Sequence, residues 1–358
     1  MVAVYRIGGH QGGMTPEWDD TRPVSPRTPR DDCERELVAI WQEVLKPPKI
    51  GLDDDFFELG GTSLQALMVF AEIEARFGCS LSPTAIVQAP TIARLAEFIR
   101  AATDIAASQS LVPLRASGTG LPLFLVHNRY CFLMYYRHLL RDLKSNRPVF
   151  GLQPPPLNGK HRIARTVETM AADYVTEIRR VQPHGPYLLA GHSYGGLVSF
   201  EIAQQLVRQG ERVGFLGLVD TLRDVPAEGG SQAKKRFGRN IYDFVAKLRW
   251  IRHVAPKRIH DLKVKLGYPI PHERRPDHYD WLCVRASRKY VAKPYAGHVT
   301  MFSSSGNTER QRDCWSPVAR GGLTIIEMPA THDDIVLPPH SRLLASHFDD
   351  CLDKARAE

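Results

Sequence analysis

Residues 186–200 read PYLLAGHSYGGLVSF, and this stretch decides the fold of most of the chain. Apolar and small residues from Tyr187 lead into Gly191-His192-Ser193-Tyr194-Gly195, a G-x-S-x-G pattern. Leu197, Phe200, Ala203 and Leu206 then recur at helical spacing. An apolar strand, small residues at the join and a helix beyond predict a tight turn that lifts a serine hydroxyl into the open. The amides and dipole at the helix start favour negative charge at the same spot. Ser193 is therefore a candidate nucleophile.

A serine needs a base to take its proton, and the base needs a carboxylate to orient it. On sheets built around such an elbow the chain order is serine, acid, histidine. Asp220 ends the apolar run RVGFLGLVD, 27 residues past Ser193, and His332 follows the last such run in MPATHDDIV. Both fall at carboxyl ends of predicted strands, where open α/β sheets place their chemistry. Asp333 and Asp334 stand next to His332 as alternative acids, although adjacency along a loop does not orient an imidazole. His127 and His192 read as structural. An oxyanion requires two N–H donors. The sequence points to the amide of Tyr194 and, from the loop His127-Asn128-Arg129-Tyr130, the amide of Arg129.

Working outward, short apolar runs LPLFLVH, RPVFGLQ, PYLLAGHS, RVGFLGLVD, HVTMFSS and LTIIEMPA alternate with helical patterns at 166–181, 195–208 and 341–354. This alternation predicts α/β layers with a mostly parallel sheet. Between Asp220 and His298 the pattern is helical, at 234–254 and 277–291, and is too long for a crossover loop. It predicts an inserted cap, which Tyr242, Phe244, Trp250 and Trp281 would line with aromatic rings.

The first hundred residues differ in character. Residues 1–30, ending in TRPVSPRTPR, lack periodicity and read as a linker. A helix is expected at 34–45, with Leu37, Ile40, Trp41, Val44 and Leu45 on one side. A second opens at Ser63 in ELGGTSLQALMVFAEIEARFG, its inward face read as Leu64, Leu67, Met68, Ala71 and Ala75. Serine at the head of such a run has the position of an N-cap. The turn SPTAIVQAP and a helix at 91–99 complete a small bundle. A second linker is read at 102–118.

The 358 residues carry a net charge of +8 and no apolar run of membrane-spanning length. The start lacks the order of a signal peptide, and six cysteines show no C-x-x-C spacing. A cytoplasmic location follows, without zinc or a disulfide scaffold. No nucleic-acid motif accompanies the positive charge. Residues 31–100 hold 12 acidic and 6 basic side chains, whereas 231–290 hold 16 basic and 5 acidic. Their opposite signs suggest that Lys234, Lys235, Arg236 and Arg239 steer the acidic unit toward the cap.

DDDFFELGGTSLQAL closely resembles the D-x-F-F-x-x-L-G-G-x-S-L core of peptidyl carrier domains in nonribosomal peptide synthetases. Residues 119–356 resemble the α/β-hydrolase thioesterase that ends such assembly lines. SPRTPRDDCERELVAIWQEVL is similar to the stretch joining an adenylation domain to its carrier. The resemblance implies a four-helix carrier at 31–101, a linker at 102–118, and an α/β-hydrolase domain at 119–358 with a lid at about 222–297. It implies that Ser63 carries covalent 4′-phosphopantetheine, attached by a phosphopantetheinyl transferase. Adenylation and condensation enzymes acting in trans would load that arm. The chain departs from the family at Thr62, where His or Asp is frequent, and at HNRYC, where H-P-x-G-G is usual.

On this reading an acyl or peptidyl thioester on the Ser63 arm passes to Ser193 and leaves by hydrolysis or cyclisation. Release by transfer to an external amine or alcohol is the alternative. Two further readings differ in class: a hydrolase-like domain serving only as a docking module, and a hydrolase of unrelated esters beside a vestigial carrier.

Overall fold

The computed structural model describes residues 27–47, 49–77, 81, 85–101, 110–155, 164–223, 270 and 274–357. It divides into two compact units, Met1–Gln109 and Ser110–Glu358.

In the first unit α1 (Asp32–Leu45) is capped by Asp31, whose side chain accepts the Glu34 amide. Leu37, Ile40, Trp41 and Leu45 of α1 are buried, and Trp41 meets Phe56 edge-on with centroids 5.2 Å apart. The helix α2 (Ser63–Phe77) buries Ala66, Val69, Phe70 and Ile73. This face is rotated from the expected one, and Met68 is exposed. Both registers satisfy a 3.6-residue period with similar apolar bulk, and packing of α2 against α1 selects the one that is buried. A single helical turn, α3 (Ala85–Gln88), occupies what read as a plain turn, and α4 (Ile92–Ala101) closes the bundle. Glu34 has no accessible side-chain surface because the guanidiniums of Arg30 and Arg100 cover it. Its hydrogen bond from Arg30 dominates, and the carboxyl is held down at about 2.

The second unit is a seven-stranded sheet in the order β1-β3-β2-β4-β5-β6-β7. Its strands are β1 (Leu111–Arg115), β2 (Leu123–Val126), β3 (Val149–Leu152), β4 (Tyr187–His192), β5 (Val213–Val219), β6 (Val299–Ser304) and β7 (Leu323–Met328). All neighbours are parallel except β1, which pairs antiparallel with β3 at the edge. β1 corrects the linker expected at 102–118, since its five residues belong to the sheet. The helices α6 (Val167–Val181), α7 (Tyr194–Arg208), α8 (Arg275–Ser287) and α9 (Thr308–Trp315) join the core on one face. A 3₁₀ turn (Met134–Tyr136), α5 (Arg137–Asp142) and α10 (His340–Ala357) join the core on the other. β2 and β4 are buried at every position, as expected of parallel strands covered on both faces.

Of the expected lid, only 222–223, Ile270 and 274–297 are described. α8 overlaps the helix expected at 277–291. The helix at 234–254, the rings of Tyr242, Phe244 and Trp250, and the cations Lys234, Lys235, Arg236 and Arg239 lie outside the described residues. Trp281 is half-buried against Tyr279, Ile270 and Leu282.

Candidate active site

The turn between β4 and α7 is as tight as the glycines suggest. A Cβ on Gly191 would lie 2.3 Å from the backbone of Gly195, and one on Gly195 would lie 2.5 Å from the carbonyl oxygens of Val126 and His127. Only hydrogen fits at either place. Ser193 is left with φ 57° and ψ −119°, a strained non-glycine conformation. Its amide is tied to the Val219 carbonyl at 2.8 Å. The strain is local and directs the Oγ off the sheet's carboxyl edge.

The structure brings the three expected residues together. His332 Nε2 lies 3.1 Å from Ser193 Oγ, and His332 Nδ1 lies 2.6 Å from Asp220 Oδ2. The carboxylate only accepts, so Nδ1 carries the proton and Nε2 is free to accept the serine O–H. Asp220 faces Nδ1, whereas Asp334 accepts the Thr331 amide at 2.6 Å. Burial pushes the Asp220 carboxyl up. Hydrogen bonds from His332, the Ser304 amide and Gln311 outweigh it and hold the group at about 2. The same hydrogen bond from the other side raises His332 above the usual imidazole value, against its partial burial.

Residues that the sequence left unassigned complete the surroundings. The Ser304 amide donates to Asp220 Oδ1 at 2.9 Å, and Gln311 Nε2 donates to the same oxygen at 2.6 Å. Gln311 lies on α9, whose sequence TERQRDCW has no apolar stripe to announce it. His192, expected to be structural, donates from Nε2 to the His332 carbonyl at 3.0 Å and packs its ring 4.9 Å from that of His332. Burial lowers His192 to about 4, so it stays neutral. The Tyr136 hydroxyl donates to Val126 O and accepts the His192 amide, both at 2.9 Å, and so joins β2 to β4 beside the elbow.

For an oxyanion, Tyr194 is the first residue of α7, so its amide has no helical acceptor. Arg129 lies in the loop after β2. The amides of Tyr130, Cys131 and Phe132 turn back onto Asn128, and the Arg129 amide is not among them. The Arg129 side chain is engaged elsewhere: Nε lies 2.9 Å from Asp280 Oδ1 on α8, and NH2 donates to the Tyr130 hydroxyl at 2.9 Å.

In the first unit Ser63 is the first residue of α2, and the cap is Thr62. The Thr62 hydroxyl accepts the Gln65 amide at 3.2 Å, and Gln65 Oε1 accepts the Thr62 amide at 3.0 Å. This reciprocal pair is a capping box, so Ser63 is not the cap that the sequence suggested. The T-S-L-Q spacing carried that signal. Before it, Gly60 has φ 77°, and a Cβ on Gly61 would lie 2.4 Å from the Phe56 ring. Gly61 thus has no room for a side chain, and the chain enters α2 at Ser63 directly after exposed Thr62. Among the described residues no cluster of three or more His, Cys, Asp or Glu could hold a metal, and no helix is long and apolar enough to cross a membrane.

Comparison with known proteins agrees with this division. Residues 121–351 match the thioesterase domain family, and residues 35–99 match the phosphopantetheine attachment site. A dimodular nonribosomal peptide synthase of Bacillus subtilis (strain 168) is 31% identical over 343 residues, covering 90% of this chain and 14% of that protein. Atromentin synthetase of Tapinella panuoides is 28% identical over 352 residues, covering 87% of this chain and 36% of its own length. The chain therefore spans a minor part of these relatives. Among solved structures, a four-domain nonribosomal peptide synthetase, holo-AB3403 bound to AMP and glycine, matches with TM-score 0.58 and 26% identity. That match covers 94% of this chain and 27% of the other. The NocB thioesterase domain, in covalent complex with a fluorophosphonate nocardicin G analogue, shares the fold with TM-score 0.52 and 23% identity over 68% of this chain and 100% of its own.

Proposed function

Because this chain belongs to the thioesterase domain family and carries a phosphopantetheine attachment domain ahead of it, we propose that it releases an acyl or peptidyl group held as a thioester on Ser63, through an acyl-Ser193 intermediate. The attachment-site match implies covalent 4′-phosphopantetheine. When bound, that group supplies a flexible arm ending in a thiol. One observation carries the reading: the unbroken chain from Ser193 Oγ to His332 to Asp220, at 3.1 and 2.6 Å.

Ser193 Oγ gives its proton to His332 Nε2 as it attacks the thioester carbonyl. Asp220 keeps the imidazole in the required tautomer and offsets the charge that it gains. The Tyr194 and Arg129 amides are the proposed donors to the oxyanion. His332 then returns the proton to the departing sulfur, leaving Ser193 acylated. Water activated by His332 gives an acid, and an internal hydroxyl or amine gives a ring. Loading by adenylation and condensation enzymes, and modification by a phosphopantetheinyl transferase, belong to the same proposal.

The test uses the full chain. Incubation with coenzyme A and a phosphopantetheinyl transferase should add one phosphopantetheine mass to wild type and none to Ser63→Ala. An acyl-loaded arm should then empty in wild type and stay loaded in Ser193→Ala. Modification without any release from wild type would favour a docking module instead.

A further inference from the structure

We infer that Gln311 is a positioning residue for the Ser193–His332–Asp220 set, holding the Asp220 carboxylate so that Oδ2 faces His332. The inference rests on the reading proposed above and adds a residue to it. Gln311 has no accessible surface, and its Nε2 donates to Asp220 Oδ1 at 2.6 Å. The Ser304 amide donates to the same oxygen at 2.9 Å. One donor from the end of β6 and one from α9 hold a single oxygen from two directions, which removes rotation about the Cβ–Cγ bond. The other oxygen, Oδ2, meets His332 Nδ1 at 2.6 Å and accepts only a longer bond besides, from Asn307 Nδ2 at 3.4 Å.

The amide of Gln311 must face the carboxylate with its NH2, since two acceptors would repel. Its carbonyl Oε1 consequently points away and is buried without a partner among the described residues. A buried acceptor without a partner lowers stability, and leucine would fill the space without that cost. A residue kept only for packing needs neither the amide nor its orphan oxygen. The side chain makes sense as a donor to Asp220.

The test reads release from a small acyl-N-acetylcysteamine thioester by the full chain across pH, with Gln311→Leu and Gln311→Glu. Gln311→Leu should lower kcat about 10- to 100-fold, the weight of one hydrogen bond to a charged group, with KM within about twofold. Gln311→Glu is nearly isosteric. Protonated, it donates as the amide does; ionised, it only repels Asp220. A like charge at that distance keeps it protonated into the range where His332 is neutral. It should therefore work near neutral pH and show a falling alkaline limb that wild type lacks. Equal losses in both variants at every pH, in step with a lowered Tm, would mean that Gln311 only packs. An undiminished kcat in Gln311→Leu would overturn the inference as well. Should the leucine variant fail to fold, the alkaline limb of the glutamate variant decides alone. Ser193→Ala, run in parallel, separates the two readings. If it still releases acid, the catalytic set is wrong; if it is inactive while Gln311→Leu is normal, only the role of Gln311 falls.

Discussion

Asp220→Asn removes a charge and almost no volume, and the surrounding donors dictate how the new amide must sit. The Ser304 amide and Gln311 Nε2 both address Oδ1, at 2.9 and 2.6 Å. An NH2 placed there would face two donors, so the asparagine carbonyl takes that place. Its NH2 then occupies the Oδ2 position and points at His332 Nδ1, across the 2.6 Å that the carboxylate now spans. Nδ1 is forced to accept. The ring proton moves to Nε2, which no longer accepts from Ser193 Oγ. The imidazolium also loses its counter-charge. The equivalent change in a serine protease, a worked case of the wrong tautomer, lowers kcat about 10,000-fold, so a loss of about 1,000- to 10,000-fold is expected here, or about 4–5 kcal/mol in the barrier. Both donors to Oδ1 stay satisfied, and the variant should fold. The assay is kcat on a small acyl thioester, together with ¹⁵N NMR of the His332 ring to find the protonated nitrogen. A kcat within about tenfold of wild type, or a ring still protonated at Nδ1, would refute the reasoning. Asp333, whose charge also raises His332, would then be the acid to test.

Ser193→Ala should accept phosphopantetheine on Ser63 as fully as wild type and release nothing, as read by the intact mass of the loaded chain over time. The general base must be neutral, and its partner Asp220 raises His332, so the acid limb of kcat/KM should reach half-height above the ordinary imidazole value near 6.5. In Asp220→Asn that limb should move to lower pH. The folded Asp220 titrates at about 2 against an ordinary 3.8, so its contribution to stability is present above about pH 4 and lost as pH falls toward 2. His332 has the opposite sign: its contribution is whole below the unfolded imidazole value and lost as pH rises through the raised folded one. Urea melts of wild type and Asp220→Asn between pH 2 and 5 should converge at the acid end, and parallel curves would refute the linkage. Glu34→Gln should cost the carrier unit about 1–2 kcal/mol at neutral pH, since Arg30 and Arg100 lose a charged acceptor, while release from small thioesters is unchanged.

The parts of the site that could be read from sequence are those where local chemistry and fold demand the same residue. Strands β2 to β7 all announce themselves as short apolar runs, most continuous in β2 and β4, which are buried at every position as a parallel sheet covered on both faces requires. The elbow announces itself because Gly191 and Gly195 sit where a Cβ has no room. Asp220 and His332 follow from chain order at strand ends. β1 was missed because its LVPLR carries Pro113, which an edge strand tolerates where its register with β3 shifts, and a central strand would not. The inward face of α2 was misread because two apolar registers overlap in SLQALMVFAEI, and only packing against α1 chooses between them. Gln65 also donates to the Val44 carbonyl at 3.3 Å, so the box that caps α2 is tied to α1.

α9 is the instructive failure. Gln311 and Trp315 are its buried residues, one turn apart, and everything else on it is polar or half-exposed. An amphipathic stripe exists to bury apolar area, and this helix instead brings an amide to Asp220 and an indole to the Thr221 carbonyl at 2.9 Å. Both targets sit at the end of β5, some 90 residues earlier in the chain. No periodicity can encode such a task, because the partner is set by the tertiary fold and not by neighbours along the helix. Ser193 lies in a motif that local sterics constrain, and Asp220 and His332 follow strands whose order the sequence shows. The groups that hold Asp220 in place, Gln311 on α9 and the Ser304 amide at the end of β6, are constrained only by what they face across the sheet edge. The part of this site open to silent damage by substitution is therefore the part that the sequence shows least.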